Sequence, residues 1–388
     1  MTPRPQSALP RVDAVARVTL QTVADKVGVS RMTVSNAFSR PDQLSAELRA
    51  TILAAAEKLG YVGPDPAARA LARGTSGAIG VLMTDSLAFA FTDEVATGFL
   101  GAVAEELAPT GMALTLLASS AAGDRVPARD VPLDGALVYS CGLDSASVEW
   151  LKRRGLPIVF VDQVPVTGIP SVNVDDRGGA RAAAQHVVDL GHRRIAVVTR
   201  ELERDDPAIV AATLSGELHV SHQRMLGWTD ALAAAGIEPV VVRESVRPPD
   251  WASGAVERPE QVAAREVRAA LAGPDRPTAV LCFSDVMAYR VVRTAEELGL
   301  RVPQDLSVVG FDDNPLASRM TPALTTVRQD VRGKGAAAAA ALTAAIESAQ
   351  SGRQGGRARH VVLPTELVVR DSTAPAPPSV GRFSRVRR

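Results

Sequence analysis

Between residues 19 and 60 the apolar positions recur with a helical period and are broken by turn residues into three runs. In the first, Leu20, Val23, Ala24 and Val27 fall at i, i+3, i+4 and i+7, one face of a helix. Gly28 supplies the backbone freedom for a sharp turn, and Val29 fills the corner. Ser30 is placed to cap a second helix whose apolar face is Val34, Ala37 and Phe38. Ser45 can cap a third, with Glu47 in its first turn, an apolar face of Leu48, Ile52, Ala55, Ala56 and Leu59, and Gly60 as its stop. Pro64 and Pro66 interrupt the chain, after which Pro66 to Arg73 has length for about two turns of helix. So short a helix forms only where something holds it.

From residue 78 the pattern changes to short β-rich runs alternating with helices. Strands are expected at 78–83, 112–117, 135–139, 157–161, 195–199, 239–242, 279–283 and 306–310. Helical stretches begin near 93, 145, 177, 223, 260, 285 and 332, several of them ending at glycine. Such alternation predicts parallel sheets flanked by helices. The length from residue 78 exceeds one ordinary α/β domain, so two lobes are expected.

The first two helices form a helix-turn-helix pattern that leaves Arg31, Met32, Ser35 and Asn36 facing outward. In that motif the exposed start of the second helix lies against base edges in the major groove of DNA. Arginine can bond guanine with two donors, asparagine can pair with adenine, and methionine offers an apolar surface to a thymine methyl. The competing reading is a helical pair that merely packs on other protein.

The run VTLQTVADKVGVSRMTVSNAF, then LGYVGPDPAARALA, then IGVLM resembles the start of a lactose-repressor-type (LacI/GalR family) transcription regulator. The resemblance continues through GLPIVFVD at 155–162, VNVDDRGGARAAAQHVVDLGHRRIAVV at 172–198, FSDVMAYRVVRTAEELGLRVPQDLSVVGFDD at 283–313 and TPALTTVRQD at 321–330. It covers about residues 18–371. It implies an all-α helix-turn-helix headpiece plus an α/β two-lobed, periplasmic-binding-protein-like effector domain, its parallel sheets flanked by helices and its lobes joined by three crossovers. The expected organisation is a disordered basic tail over 1–17, a DNA-binding domain over 18–63 and a hinge helix and linker over 64–77. An effector-binding and dimerisation domain follows over 78–371, then a second disordered basic tail over 372–388. On the DNA side the resemblance implies roles for Thr19, Ser30, Arg31, Met32, Thr33, Ser35 and Asn36. It also implies that the hinge helix folds in the minor groove, with Leu71 wedged between central base pairs and Arg69 and Arg73 neutralising phosphate.

Ligands of such α/β folds sit at the carboxyl ends of strands, in the cleft between lobes. Thr84 and Asp85 follow the first strand, with Phe89 and Phe91 in the loop after it; Tyr139 and Asp162 end two others. Ser284 and Asp285 follow AVLCF, Asp312 and Asp313 follow VVGF, Arg224 opens a helix after a long loop, and Trp251 lies in another loop. Carried over by resemblance, the effector-contacting positions are Thr84, Tyr139, Asp162, Arg224, Ser284 and Asp312. Carboxylates and arginine bond ligand hydroxyls, and an aromatic face such as Trp251 can stack on a sugar or base. Asp285 has an alternative role as a helix cap and Asp313 as a turn residue. Tyr139 and Ser284 stand where sugar repressors of this family often carry asparagine.

Composition agrees with a folded regulator. Apolar residues make up 46% of 388 residues and aromatics 4%, and the net charge is zero. Residues 1–73 carry ten lysines and arginines against six acids, and 372–388 carry four arginines and no acid, so the middle is acidic. A basic head on an acidic body suits a DNA reader with a separate regulatory domain. The two cysteines, Cys141 and Cys282, make no disulfide framework and fit a reducing cytosol. No secretory signal or membrane span is visible, and a cytoplasmic protein is expected.

No dinucleotide cradle, phosphate loop, GxSxG elbow or HExxH motif occurs, so neither an enzyme nor a cofactor is expected. A carbohydrate-kinase fusion would need the absent phosphate loop. His219 and His222 read as a loop pair without metal-ligand companions. The alternative function is a solute-binding transport-type protein, which the lobes alone would allow. The partners expected are a pseudo-palindromic DNA operator, a sugar or nucleoside effector and a second copy of the chain. A dimer is favoured because PAPPSVGRFSRVRR offers no leucine heptads.

Overall fold

The computed structural model describes residues 18–83, 87–118, 124–140, 145–200, 219–244, 259–352 and 358–378. The chain divides into two units, Met1–Ser76 and Gly77–Arg388.

In the first unit, helices α1 (Leu20–Val27), α2 (Arg31–Ser39) and α3 (Ala46–Leu59) begin at side-chain caps from Thr19, Ser30 and Ser45. Each cap oxygen accepts a backbone N–H that has no partner within its helix. Gly28 holds φ at 76°, a left-handed conformation that ends α1 without Cβ strain. Val23, Ala24, Val34, Ala37, Ile52 and Ala56 form a buried core, and Phe38 meets Tyr61 edge to face at 5.7 Å. Helix α4 (Pro66–Arg73) follows, with Arg69, Leu71 and Arg73 exposed.

The second unit holds two six-stranded sheets. The first lobe contains β1 (Ala78–Met83), β2 (Ala113–Ala118), β3 (Gly135–Tyr139), β4 (Ile158–Val161), β5 (Ser171–Val174) and, from much later in the chain, β11 (His360–Leu363). Their order is β11-β5-β4-β3-β1-β2, all parallel. The second lobe contains β6 (Ile195–Arg200), β7 (Val240–Glu244), β8 (Ala279–Cys282), β9 (Ser307–Asp312), β10 (Thr325–Gln329) and β12 (Thr365–Val368). Their order is β12-β10-β9-β8-β6-β7, with only β12 antiparallel to its neighbour. In each sheet the strand order reverses at the first strand, β1 or β6, the switch point beside which α/β folds bind ligands.

Helices cover both faces of each sheet, so the inner strands β1, β3, β4, β6, β8 and β9 are largely apolar rather than alternating. Val81 and Met83 point to one face with α6 (Glu94–Leu107) and α14 (Val331–Gln350); Leu82, between them, points to the other with α8 (Ala146–Arg153). In the second lobe, Ile195 and Val197 pack with α9 (Asp176–Asp189) and α10 (His219–Ala234). Ala196 and Val198 pack with α11 (Pro259–Ala272) and α12 (Asp285–Glu297). Where α14 crosses α6, a Cβ on Gly335 would lie 2.7 Å from Ala102 Cβ and 2.8 Å from the Phe99 carbonyl, so glycine permits the close approach.

The chain passes between lobes three times, after β5 into α9, after β10 into α14, and through Pro364 between β11 and β12. Residues 372–376 depart from the expected disorder, and 379–388 lie outside the described residues. Ser372 is buried, its Oγ donating to the Val308 carbonyl at 2.6 Å, and the Ala376 N–H donates to the Leu190 carbonyl at 2.8 Å. The buried imidazole of His192 binds the Ala374 carbonyl at 3.0 Å, and His186 meets the Thr373 hydroxyl at the same distance. Docking of 372–376 gives these two histidines partners that composition alone could not reveal.

Candidate functional site

Three strands end in left-handed backbone at non-glycine residues: Ser140 after β3 (φ 52°), Asp162 after β4 (φ 55°), and Asp312 and Asp313 at the end of β9 (φ 114° and 54°). Ser140, Asp162 and Asp312 line a cavity of about 310 Å³ between the two lobes. Tyr139, Asp162 and Asp93 come from the first lobe; Arg224, Phe283, Ser284, Arg290, Asp312 and Gln329 come from the second.

Arg224 is 3% exposed. Its Nε donates to Asp176 Oδ1 at 2.8 Å, and its Nη1 donates to the Phe283 carbonyl at 2.5 Å and lies 3.3 Å from Asp312 Oδ1. The guanidinium lies 3.5 Å from the ring centre of Phe311 and 4.7 Å from that of Phe283, so its face is packed as well as its edge bonded. Burial alone would lower its pKa, but Asp176 and Asp312 outweigh that and raise it. Burial pushes both carboxyls up to about 6 against the opposing pull of Arg224. Tyr139 is raised well above 10 by burial and then by the charges of Asp162 and Asp93, so it stays a neutral phenol. Ser284 Oγ caps α12 by accepting the Met287 N–H at 3.3 Å, which leaves its O–H to donate into the cavity. Asp162 lines the cavity and is buried, and its Oδ1 has no hydrogen-bond partner among the described residues.

On α2, Arg31 and Met32 are exposed, Met32 by 69%, while Ser35 and Asn36 are half-buried. Ser30 Oγ accepts the Thr33 N–H at 3.0 Å, and Thr19 and Thr22 form a reciprocal cap. The Asn36 amide donates to Gln43 Oε1 at 3.1 Å. Leu71 on α4 is 87% exposed.

A lacI-family bacterial regulatory protein model matches residues 19–63, and a periplasmic binding protein-like domain model matches 184–373. A helix-turn-helix transcriptional regulator of Mycolicibacterium smegmatis is 38% identical over 336 residues, covering 82% of this chain and 88% of that relative. The chain belongs to the LacI family. The MalR regulator of Streptomyces coelicolor is 32% identical and covers 94% of this LacI-family chain and 98% of its own. Among solved structures, a lac repressor dimer bound to operator and the anti-inducer ONPF is 27% identical with a TM-score of 0.70, covering 92% of this chain and 99% of that one. A CelR–cellobiose complex is 26% identical with a TM-score of 0.60, covering 92% and 100%. The chain is a LacI-family transcriptional regulator with the fold the resemblance implied, and a transport role is not favoured.

For this LacI-family regulator, Tyr139, Asp162, Arg224, Ser284 and Asp312 converge on the cavity. Asp285 does not. It is fully buried beneath the site, accepting the Thr326 hydroxyl at 2.5 Å and the Asn314 N–H at 2.9 Å, and so acts inside the second lobe. Asp313 turns away to ion pairs with Arg328 and Arg370 at 2.7 and 2.6 Å. Phe91 lies in helix α5 (Leu87–Thr92), 67% exposed and outside the cavity wall, because the expected loop is a helix that points it to solvent. Thr84, Asp85, Trp251 and Cys141 lie outside the described residues, as does the side chain of Phe89. His219 and His222 belong to the first turn of α10 rather than to a loop, which puts Arg224 in its second turn. No cluster of metal-ligating side chains occurs among the described residues, and no helix there is long and apolar enough to cross a membrane.

Sequence reasoning missed Asp93, Arg290, Gln329 and, behind the wall, Lys334. Gln329 ends a strand too polar to be recognised, TTVRQ. Lys334 had a visible signal: it occupies the helical stripe of Ala338, Leu342 and Ile346, all buried.

Proposed function

We propose that the protein is a homodimeric repressor whose affinity for a pseudo-palindromic operator is set by a small hydroxyl-rich molecule, a sugar or nucleoside, held between the two lobes. One observation carries this reading: Asp162, whose buried Oδ1 has no hydrogen-bond partner among the described residues, lines a cavity also walled by Arg224, Ser284 and Asp312. A buried acceptor without a partner costs about 1–3 kcal/mol, which a ligand hydroxyl recovers. The cellobiose bound by a structural neighbour is chemistry of this kind. Binding that favours one lobe geometry over another shifts operator affinity only through its different affinities for the two states. Function then resides in binding rather than catalysis, which agrees with relatives named as regulators.

The headpiece reads bases through Arg31, Met32 and Asn36, with Thr19, Ser30, Thr33 and Ser35 supporting contacts at the helix starts; Arg69 and Leu71 serve the minor groove. Selection of operators from random duplexes, followed by titration of sugars and nucleosides into the selected complex, tests the whole reading. The expected result is one enriched pseudo-palindrome whose binding a single compound alters. Arg31→Ala and Asn36→Ala should each change the base preference at one position per half-site. An enriched sequence identical to that of the unaltered protein would remove those residues from base readout. No enriched site, with or without the compounds, would overturn the proposal.

A further inference from the structure

Lysine is almost never fully buried unless paired, yet Lys334, in the first turn of α14, is 1% exposed. Its ammonium donates to Asp162 Oδ2 at 2.5 Å and to Gln329 Oε1 at 3.0 Å. Asp162 ends β4 in the first lobe, and Gln329 ends β10 in the second. Gln329 uses its own Nε2 to donate to Asp312 Oδ1 at 2.7 Å, the oxygen that Arg224 Nη1 also approaches. An unbroken polar chain therefore runs from one lobe to the other beside the β10–α14 crossover. At its first-lobe end it occupies one oxygen of Asp162, a residue of the cavity wall, and leaves the other, Oδ1, without a hydrogen-bond partner among the described residues.

We propose that Lys334 is a positioning residue that couples the lobes: it holds Asp162 by one oxygen, presents the other to a hydroxyl donor in the cavity, and ties that carboxylate through Gln329 to Asp312 and Arg224. A ligand hydroxyl that bonds Oδ1 draws on the same carboxylate that Lys334 grips, so occupancy is felt at the end of β9 as well as at β4. The ligand's part rests on reading the cavity as the effector site. The coupling does not, and it is testable with neither ligand nor DNA present.

The test is hydrogen–deuterium exchange on the full, ligand-free chain, comparing the unaltered protein with Lys334→Met, Asp162→Asn and the double variant. Asp162→Asn is a first-lobe change. It should speed exchange in the second lobe, at Gln329 and over Phe311–Asn314, on the order of tenfold. Lys334→Met should do the same, and the double variant should add nothing beyond the larger single effect. A lysine that only neutralises a neighbouring carboxylate would not transmit to β9. Effects confined to the end of β4 and the start of α14, or second-lobe effects that sum in the double variant, would overturn the proposal. Each single variant buries one unpaired charge and can fail to fold. The double variant buries neither and decides alone, since unchanged exchange at Phe311–Asn314 sinks the coupling. Failure to find an operator or an effector leaves this readout untouched.

Discussion

Asp162 and Asp312 occupy a backbone region that costs a non-glycine residue about 1–3 kcal/mol, and both do so where they face the cavity. Aspartate tolerates that conformation better than most residues, so a strand can end abruptly and still aim a carboxylate into the cleft. Asp285 serves a different end. Its carboxyl is pushed up to about 8, by burial first and then by the charge of Asp312. An acid whose folded pKa exceeds its unfolded value of about 3.9 binds protons more tightly when folded. The stability it contributes is complete below that value and is lost as pH rises through about 8. Asp285→Asn can keep both bonds, accepting from the Asn314 N–H and donating to the Thr326 hydroxyl. Its melting temperature, measured against the unaltered protein, should gain several degrees between pH 4 and pH 8. A difference that stays constant over that range would mean that Asp285 does not titrate there.

At the scale of elements, α4 carries the clearest single expectation. Eight residues make a helix that is marginal in water, and its Leu71 is exposed where an apolar side chain gains nothing from solvent. If that leucine unstacks a base step, Leu71→Ala should weaken operator binding tenfold or more, about 1.4 kcal/mol or above, and leave effector affinity unchanged. Equal losses in both titrations would assign Leu71 to the fold instead. The three headpiece helices and eight of the strands were legible because caps, glycine stops and apolar runs coincide there. β5, β10, β11 and β12 were not, for physical reasons. β5 alternates serine and asparagine with its valines, β10 has four polar residues in five, and only Pro364 separates β11 from β12. Of the cleft residues legible in the sequence, Tyr139, Asp162, Ser284 and Asp312 end or follow recognised strands and Arg224 lies in α10; Gln329 ends an unrecognised strand. Lys334 follows none, and its place in a buried helical stripe was overridden because a charged side chain reads as solvated until its partners are seen.

For the whole molecule, charge is divided rather than absent: the headpiece and hinge are basic and the body acidic. Operator affinity should therefore fall steeply with salt, the logarithmic slope changing by about 0.9 for each phosphate neutralised. Replacing Arg69 and Arg73 by glutamine removes four positive charges from the proposed dimer and should make that slope shallower by about 3–4. An unchanged slope would show that these arginines touch no phosphate.

The third crossover has a consequence for synthesis. β11 forms the outer strand of one sheet and β12 the outer strand of the other, and 372–376 then lace onto β9 and the end of α9. Neither lobe is complete until this late segment has left the ribosome, although nearly all of the first lobe's sheet was made long before. A nascent chain carries two sheets with bare edges that wait on the same few residues. A premature stop before residue 360 removes an outer strand from both sheets at once, so a product shortened in that way keeps neither lobe whole.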